Sequence, residues 1–436
     1  MEKNEQYFPT PTRRPKEILI GGKTPVNYYT IDLKKKKDKV ERKYQEWFIS
    51  YKKTTFFFSL WNLINDICSS GNVAFGKYVA QCGLLLFAIL ICIFALITIY
   101  TLCILYNLSK SQNEKTLPEL CAKAFGRAGH IITCIFIFCF NFGGLCSQFL
   151  MFAEVLPQLV TILSGHQAHH ISRTAVLIYL TILFAPFAFM RELSSIALVL
   201  LLQAITHCPF NPPQGDSFAL IRPLSALSSL GGISYTFVCH DLSFNVFDNL
   251  KKSTRAKYYG IVVISVLMSA ATVTVTGICG YFLFFRLNLR QTNLVLLLPR
   301  KSVMGVIARI CLLTSVSLSI PYGAFMPRQA LYYAVSSIFP GSVRTTLREG
   351  VLHAFCTTVV IVMALIISLS VSDLGSVFEI TGGVSACSLA YIIPPLLMLR
   401  LGEPSVLNRT LSVLVLTIGI GIFCCTCYSV GKKIFV

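Results

Sequence analysis

Beyond about residue 54 the chain alternates long apolar runs with short polar joints. The runs are close to the ~20 residues that an α-helix needs to cross a bilayer. About eleven of them appear, near 54–80, 83–107, 131–163, 174–190, 193–208, 226–247, 259–285, 303–326, 350–371, 376–399 and 406–430. This pattern predicts an all-α polytopic membrane protein. Two runs are interrupted. The first, WNLINDICSSGNVAFG from Trp61 to Gly76, carries Asn62, Asn65, Asp66, Ser69, Ser70, Gly71, Asn72 and Gly76 where a plain span would be apolar. The second, SSLGGISYTFVCHD, runs from Ser228 to Asp241. Spans 1–5 and 6–10 form two sets of five. Five is odd, so the second set enters the membrane from the opposite side, and the broken first helices of the two sets lie antiparallel. That is a 5+5 inverted repeat with broken helices 1 and 6, the arrangement in which secondary transporters place their substrate. Span 5 is the short one: Leu193 to Cys208 reaches ~24 Å against a hydrocarbon core of ~30 Å.

Composition agrees with the pattern. A mean hydropathy of +0.68 with 54% hydrophobic and 13% charged residues excludes a soluble globular protein. The net charge of +19 is unevenly spread, since 14 of the 38 Lys and Arg precede Thr54 and include the run Lys34 to Lys37. Residues 1–53 are therefore expected to be a basic cytosolic tail, mostly disordered, with possible contact to anionic lipid and no role in binding nucleic acid. Residues 54–430 form the transmembrane domain and 431–436 a short C-terminal tail. The early residues lack the pattern of a cleaved signal peptide. Tyr28-Tyr29-Thr30-Ile31 fits a tyrosine sorting signal. With the N-terminus inside, 28 of the 38 basic residues fall on the cytosolic side, as the positive-inside rule requires. Arg286, Arg290, Arg300 and Lys301 form an outer exception. The triplets at Asn107 and Asn408 then face the cytosol and stay unglycosylated. The 17 cysteines lie mostly inside spans and predict no disulfide framework. His166, His169 and His170 read as a surface group.

The two breaks carry the candidate chemistry. An amino acid presents a carboxylate and an ammonium. Unwound backbone at a half-helix N-terminus offers N–H donors to an anion, and Ser69, Ser70 and Gly71 supply small residues there. Carbonyls freed around Gly232, Ser234 and Tyr235 suit an ammonium, with Phe237 closing over the substrate. The competing explanation is tight helix packing by small residues. Na⁺ takes hard oxygen ligands, and Asn65 offers a carbonyl oxygen. Asp66, Glu154, His240, Asp241 and Arg309 are ionisable residues inside spans, where charge is costly and usually functional. Asp66 adds charge to the cation site or carries a proton. Glu154 and His240 are proton or pH candidates, with a packing hydrogen bond as the alternative for His240. No HExxH, Walker A or GxSxG motif suggests an enzyme, and no cofactor is expected.

Several segments carry a family likeness. They are Asn62-Leu-Ile-Asn65 with Ser69-Ser70-Gly71, Leu117-Pro-Glu-Leu-Cys-Ala-Lys-Ala-Phe-Gly126, Tyr235-Thr-Phe-Val-Cys-His240, Ile320-Pro321 with Pro327-Arg328, Ser370 to Phe378, and Tyr391-Ile-Ile-Pro394. In this order and spacing the chain resembles the amino acid/auxin permease family, most of all its sodium-coupled neutral amino acid transporters, over about residues 54–430. The resemblance implies a LeuT-type fold of eleven spans that moves amino acids with Na⁺ or H⁺. It also implies a span 8 hydroxyl beside Asn65, for which Ser317 and Ser319 are available, and backbone carbonyls near Ile64 to complete the shell. The chain departs from the family at Ser69, usually Gly; at Gly76, usually Pro; at Asp66, usually a small residue; and in its short span 5. The expected function is cation-coupled amino acid transport, at the plasma membrane or in a lysosome or endosome. The alternatives are a lysosomal or endosomal exporter that senses amino acid supply, and a transport-inactive isoform.

Overall fold

The computed structural model describes residues 55–68, 70–164, 220–251, 254–284, 293–300, 302–338, 346–371, 374–403 and 405–435. The tail 1–53, expected spans 4 and 5, and the histidine group at 166–170 lie outside them. Every described element is helical.

Span 1 consists of two helices, α1 (Phe56–Ile67) and α2 (Phe75–Cys82), separated by a stretch in which Ser70–Ala74 winds as a tight 3-10 turn. At ~1.5 Å per residue they reach about 18 and 12 Å, so neither crosses the ~30 Å core alone. The Thr55 hydroxyl caps α1 by accepting the Phe58 N–H at 3.4 Å. One residue per turn, Ser59, Leu63 and Ile67, forms its buried face. Gly83 ends α2 at φ 81°, a conformation open to glycine because it has no Cβ.

The chain then enters α3 (Leu84–Gln112). Phe87, Ile91, Phe94 and Ala95 are buried, while Leu85, Ile89, Ile93 and Leu96 stand exposed on the other side. A helix apolar on both faces packs against protein on one and lipid on the other. Asn113, in the left-handed region at φ 55°, closes it.

Helix α4 (Leu117–Ser164) bends at Gly126, whose φ is 68°. Its start corrects one expectation, since the polar stretch 109–129 reads as a loop in the sequence. Local signals decide otherwise. The Thr116 hydroxyl accepts the Glu119 N–H at 3.3 Å, Pro118 sits in the first turn, and Leu117, Leu120, Cys121 and Ala124 put a buried stripe at helical spacing.

Span 6 is again two helices, α5 (Leu230–Thr236) and α6 (His240–Asn249). Helix α7 (Arg255–Phe284) follows, then a 3-10 turn Leu294–Leu297, α8 (Val303–Ile338) and α9 (Thr346–Ser370). Helix α10 (Leu374–Ile380) continues through widened π-type turns at Thr381–Ala386 and Ser388–Ile392 into α11 (Ile393–Leu401). Helix α12 (Val406–Phe435) closes the described chain. Among the described residues five stretches are long and apolar enough to cross a membrane: Leu84–Gln112, Leu117–Leu163, Arg255–Phe282, Leu374–Leu401 and Val406–Lys432. The broken helices lie among them. Helices α1 and α2 pack on α7, α5 packs on α10 and its π-type extension, and α8 runs along α4.

Candidate functional site

The two breaks meet. A Cβ built on Gly71 would collide with the Thr236 hydroxyl, so only glycine lets the span 1 turn approach the end of α5 this closely. Each break also has its freed backbone partly satisfied. The Asn72 side chain, fully buried, donates to the Cys68 carbonyl at 2.8 Å, one of the carbonyls that a helix end leaves open. Thr98 of α3 donates to the Phe237 carbonyl at 3.4 Å. Among the described residues Asn72 Oδ1 has no hydrogen-bond partner.

Gly232, Ser234 and Tyr235, expected in unwound backbone, lie inside helix α5, and the unwound stretch begins only at Phe237. Around this break the expected substrate residues are packed against protein. The Ser234 hydroxyl donates to Gly382 O at 2.8 Å and to Gly231 O at 3.0 Å. Gly231 lies against the Glu379 carbonyl, and a Cβ on Gly382 would collide with Gly231 O. Small residues here join spans 6 and 10 backbone to backbone, which is the packing alternative for Ser234. Gly232 accommodates the Tyr78 ring of α2. Tyr235 lies between Phe140 of α4 and Phe378 of α10, with ring centroids 5.3 and 5.1 Å away. Its hydroxyl comes to the edge of Gly144. Phe237 is fully buried. Ser69 and the Ser70 side chain lie outside the described residues, so the anion cradle expected there is represented by Gly71 alone.

Of the residues expected to bind a cation, Asn65 and Asp66 keep part of their surface accessible, whereas Ile67, Cys68 and Gly71 to Gly76 are buried. The Ser319 hydroxyl donates to the Ser315 carbonyl one turn back, at 2.8 Å. That bond uses its proton and leaves its lone pairs for a cation. Helix α1 packs mainly on α7, and α8 on α4 and α9.

Asp66 has a neighbour that its span does not announce. Its carboxylate lies within electrostatic reach of Asp241, in the first turn of α6. Asn141 of α4 donates to Asp241 Oδ2 at 2.9 Å. One carboxylate beside each break thus lies within electrostatic reach of the other, and among the described residues no Lys or Arg pairs with either. Such a pair stabilises one added positive charge. Sequence reasoning marked Asp241 as ionisable without a site role and missed Asn141. The available signal was the placing of one Asp beside each break.

His240 is fully buried, with Nε2 at 2.8 Å from the Thr101 hydroxyl. That hydroxyl gives its own proton to the Ile97 carbonyl at 2.9 Å. Whichever of the two donates, the ring pins α6 to α3. Half-buried Glu154 accepts from Asn293 at 3.3 Å, far along α4 from Asn141. Glu379, not singled out from sequence, is buried and accepts from Ser429 of α12 at 2.6 Å.

The family described as "Transmembrane amino acid transporter protein" matches residues 52–432. A putative sodium-coupled neutral amino acid transporter 11 of Bos taurus is 24% identical over 362 residues, covering 79% of this chain and 76% of its own length. A sodium-coupled neutral amino acid transporter 7 of Danio rerio is 25% identical over 352 residues, covering 74% of this chain and 75% of its own. The crystal structure of MhsT in complex with L-phenylalanine superposes with a TM-score of 0.59 at 14% identity, over 85% of this chain and 98% of that one. At that identity the likeness shows a shared fold.

Proposed function

Since the chain belongs to the transmembrane amino acid transporter family, we propose that it is a secondary active transporter of neutral amino acids driven by Na⁺. The observation that carries this is the meeting of the two helix breaks at Gly71 and Thr236. Two broken helices brought together in this way suit recognition of a zwitterion. Substrate neutrality and Na⁺ follow the names of the relatives.

In this scheme the turn at Ser69, Ser70 and Gly71 takes the carboxylate. The end of α5 around Gly232, Ser234 and Tyr235 faces the ammonium, and Phe237 with Tyr235 bounds the side chain. Asn65 and Ser319 hold Na⁺, with Asp66 adding charge. The N-terminus is cytosolic, as the distribution of basic residues supports, and the tail 1–53 lies against anionic lipid. The membrane is the plasma membrane or that of a lysosome or endosome. The test is counterflow of the twenty amino acids in liposomes, with and without Na⁺. Equal exchange in Na⁺ and choline media at constant pH removes the Na⁺ scheme, and no flux with retained binding makes the protein a sensor or an inactive form.

A second scheme, H⁺ in place of Na⁺, is favoured by the Asp66 and Asp241 carboxylates lying within electrostatic reach of each other. Uptake driven by an inward proton gradient without Na⁺, and lost in Asp66→Asn, would establish it.

A further inference from the structure

Arg309 is fully buried in the second turn of α8. Its Nε donates to Gln158 Oε1 of α4 at 3.3 Å, one terminal nitrogen to Gly305 O at 2.9 Å, and the other to Leu298 O at 2.8 Å. Among the described residues no carboxylate forms an ion pair with it. A buried guanidinium held by neutral acceptors is an expensive way to fill space, so its attachment points matter. The Gly305 bond is local to α8. The other two tie α8 to α4 and to the irregular segment before it.

That segment, Asn293 to Leu298, is not a surface loop. Asn293, Leu294, Val295 and Leu298 are all buried. Non-helical backbone beside a membrane-spanning core is tolerated only where protein encloses it. Leu294 is the wedge. A Cβ on Gly76 of α2 would lie 2.6 Å from Leu294 Cδ2, and one on Gly280 of α7 would lie 2.5 Å from Cδ1. The leucine therefore fills a notch that two glycines leave between span 1 and α7. Polar ties hold the wedge on both sides: Asn293 caps the Val295 N–H at 3.1 Å and reaches Glu154, and Arg309 grips Leu298.

We propose that Arg309 is a positioning residue of the transport cycle. It clamps the Asn293–Leu298 segment so that Leu294 stays wedged against α2, and release of the Leu298 carbonyl lets the wedge leave and opens that side of the path beside the first break. The transport part rests on the transporter assignment; the clamp itself does not.

The test uses the full chain in lipid nanodiscs, where both faces meet the solvent. Leu294→Cys is labelled with a water-soluble maleimide, and peptide mass spectrometry reads position 294 apart from the native cysteines. Adding Arg309→Gln is expected to speed labelling about tenfold, the size of effect from losing a charge-assisted hydrogen bond. Adding Arg309→Lys gives an intermediate rate, since an ammonium reaches fewer of the three acceptors. Gln158→Glu supplies a carboxylate to the guanidinium and slows labelling. If Arg309→Gln does not yield monodisperse protein, Gly305→Ala replaces it. Its Cβ would lie 2.5 Å from the Pro299 carbonyl, prying the segment while keeping the charge, and faster labelling is again expected. In uptake assays Arg309→Gln lowers the maximal rate with little change in KM, because Arg309 touches no substrate. Equal labelling rates across these variants overturn the clamp. Arg309-dependent labelling in a protein that moves no amino acid keeps the clamp and overturns the transporter assignment instead.

Discussion

Gly71 in the first break and Thr236 at the end of α5 stand so close that a Cβ on the glycine would collide with the threonine hydroxyl. This contact joins the two halves of the repeat at the point where both helices unwind. Gly71→Ala is therefore expected to lower stability by about 1–3 kcal/mol, the usual cost of overpacking, and to abolish uptake. Thr236→Ala removes the clashing oxygen, so the double variant recovers stability relative to Gly71→Ala. Additive effects in a thermal-unfolding cycle would mean that the two residues are not in contact.

The Asp66–Asp241 pair gives a second expectation. Two carboxylates within electrostatic reach repel whenever both are ionised. Asp66→Asn or Asp241→Asn raises the melting temperature in Na⁺-free medium and lowers uptake at least about tenfold, as loss of a cation-holding charge requires. Unchanged melting in both variants would separate the two groups.

For Na⁺, Asn65→Ala and Ser319→Ala each raise the half-saturating concentration about tenfold, equivalent to ~1.4 kcal/mol of cation affinity. Ser319→Thr keeps the hydroxyl and stays near the parent. A Na⁺ titration of uptake decides this, and unaltered Na⁺ dependence in Asn65→Ala moves the site elsewhere.

His240 is expected to act as a pin between α6 and α3. His240→Gln retains a side-chain N–H for Thr101 and keeps the pH profile of uptake, whereas His240→Leu costs about 1 kcal/mol through the lost hydrogen bond. A flattened pH profile in His240→Gln would make the histidine a sensor instead.

Much of the architecture was legible in the sequence. Runs such as Leu84 to Tyr106 are apolar all round, and only a membrane helix accommodates that. The breaks announced themselves through Asn, Ser and Gly placed where a span needs apolar residues; the structure divides span 1 there, and divides span 6 just beyond its Gly and Ser, at Phe237 to Cys239. The polar stretch before span 3 misled because charge was weighed above its cap at Thr116 and its buried stripe.

The sequence by itself determined the membrane class, the placing of most described spans and the two stretches that contain a break, because hydrophobic length and backbone propensity are local properties. The tertiary structure alone decided partnerships. It set Ser234 on the Gly382 carbonyl, His240 on Thr101, Asp66 opposite Asp241 with Asn141 beside it, and Arg309 on Leu298. A hydrogen bond or a charge pair depends on which helix faces meet, and rotation of a helix about its axis is set by packing against neighbours distant in the chain. No window of residues contains that information.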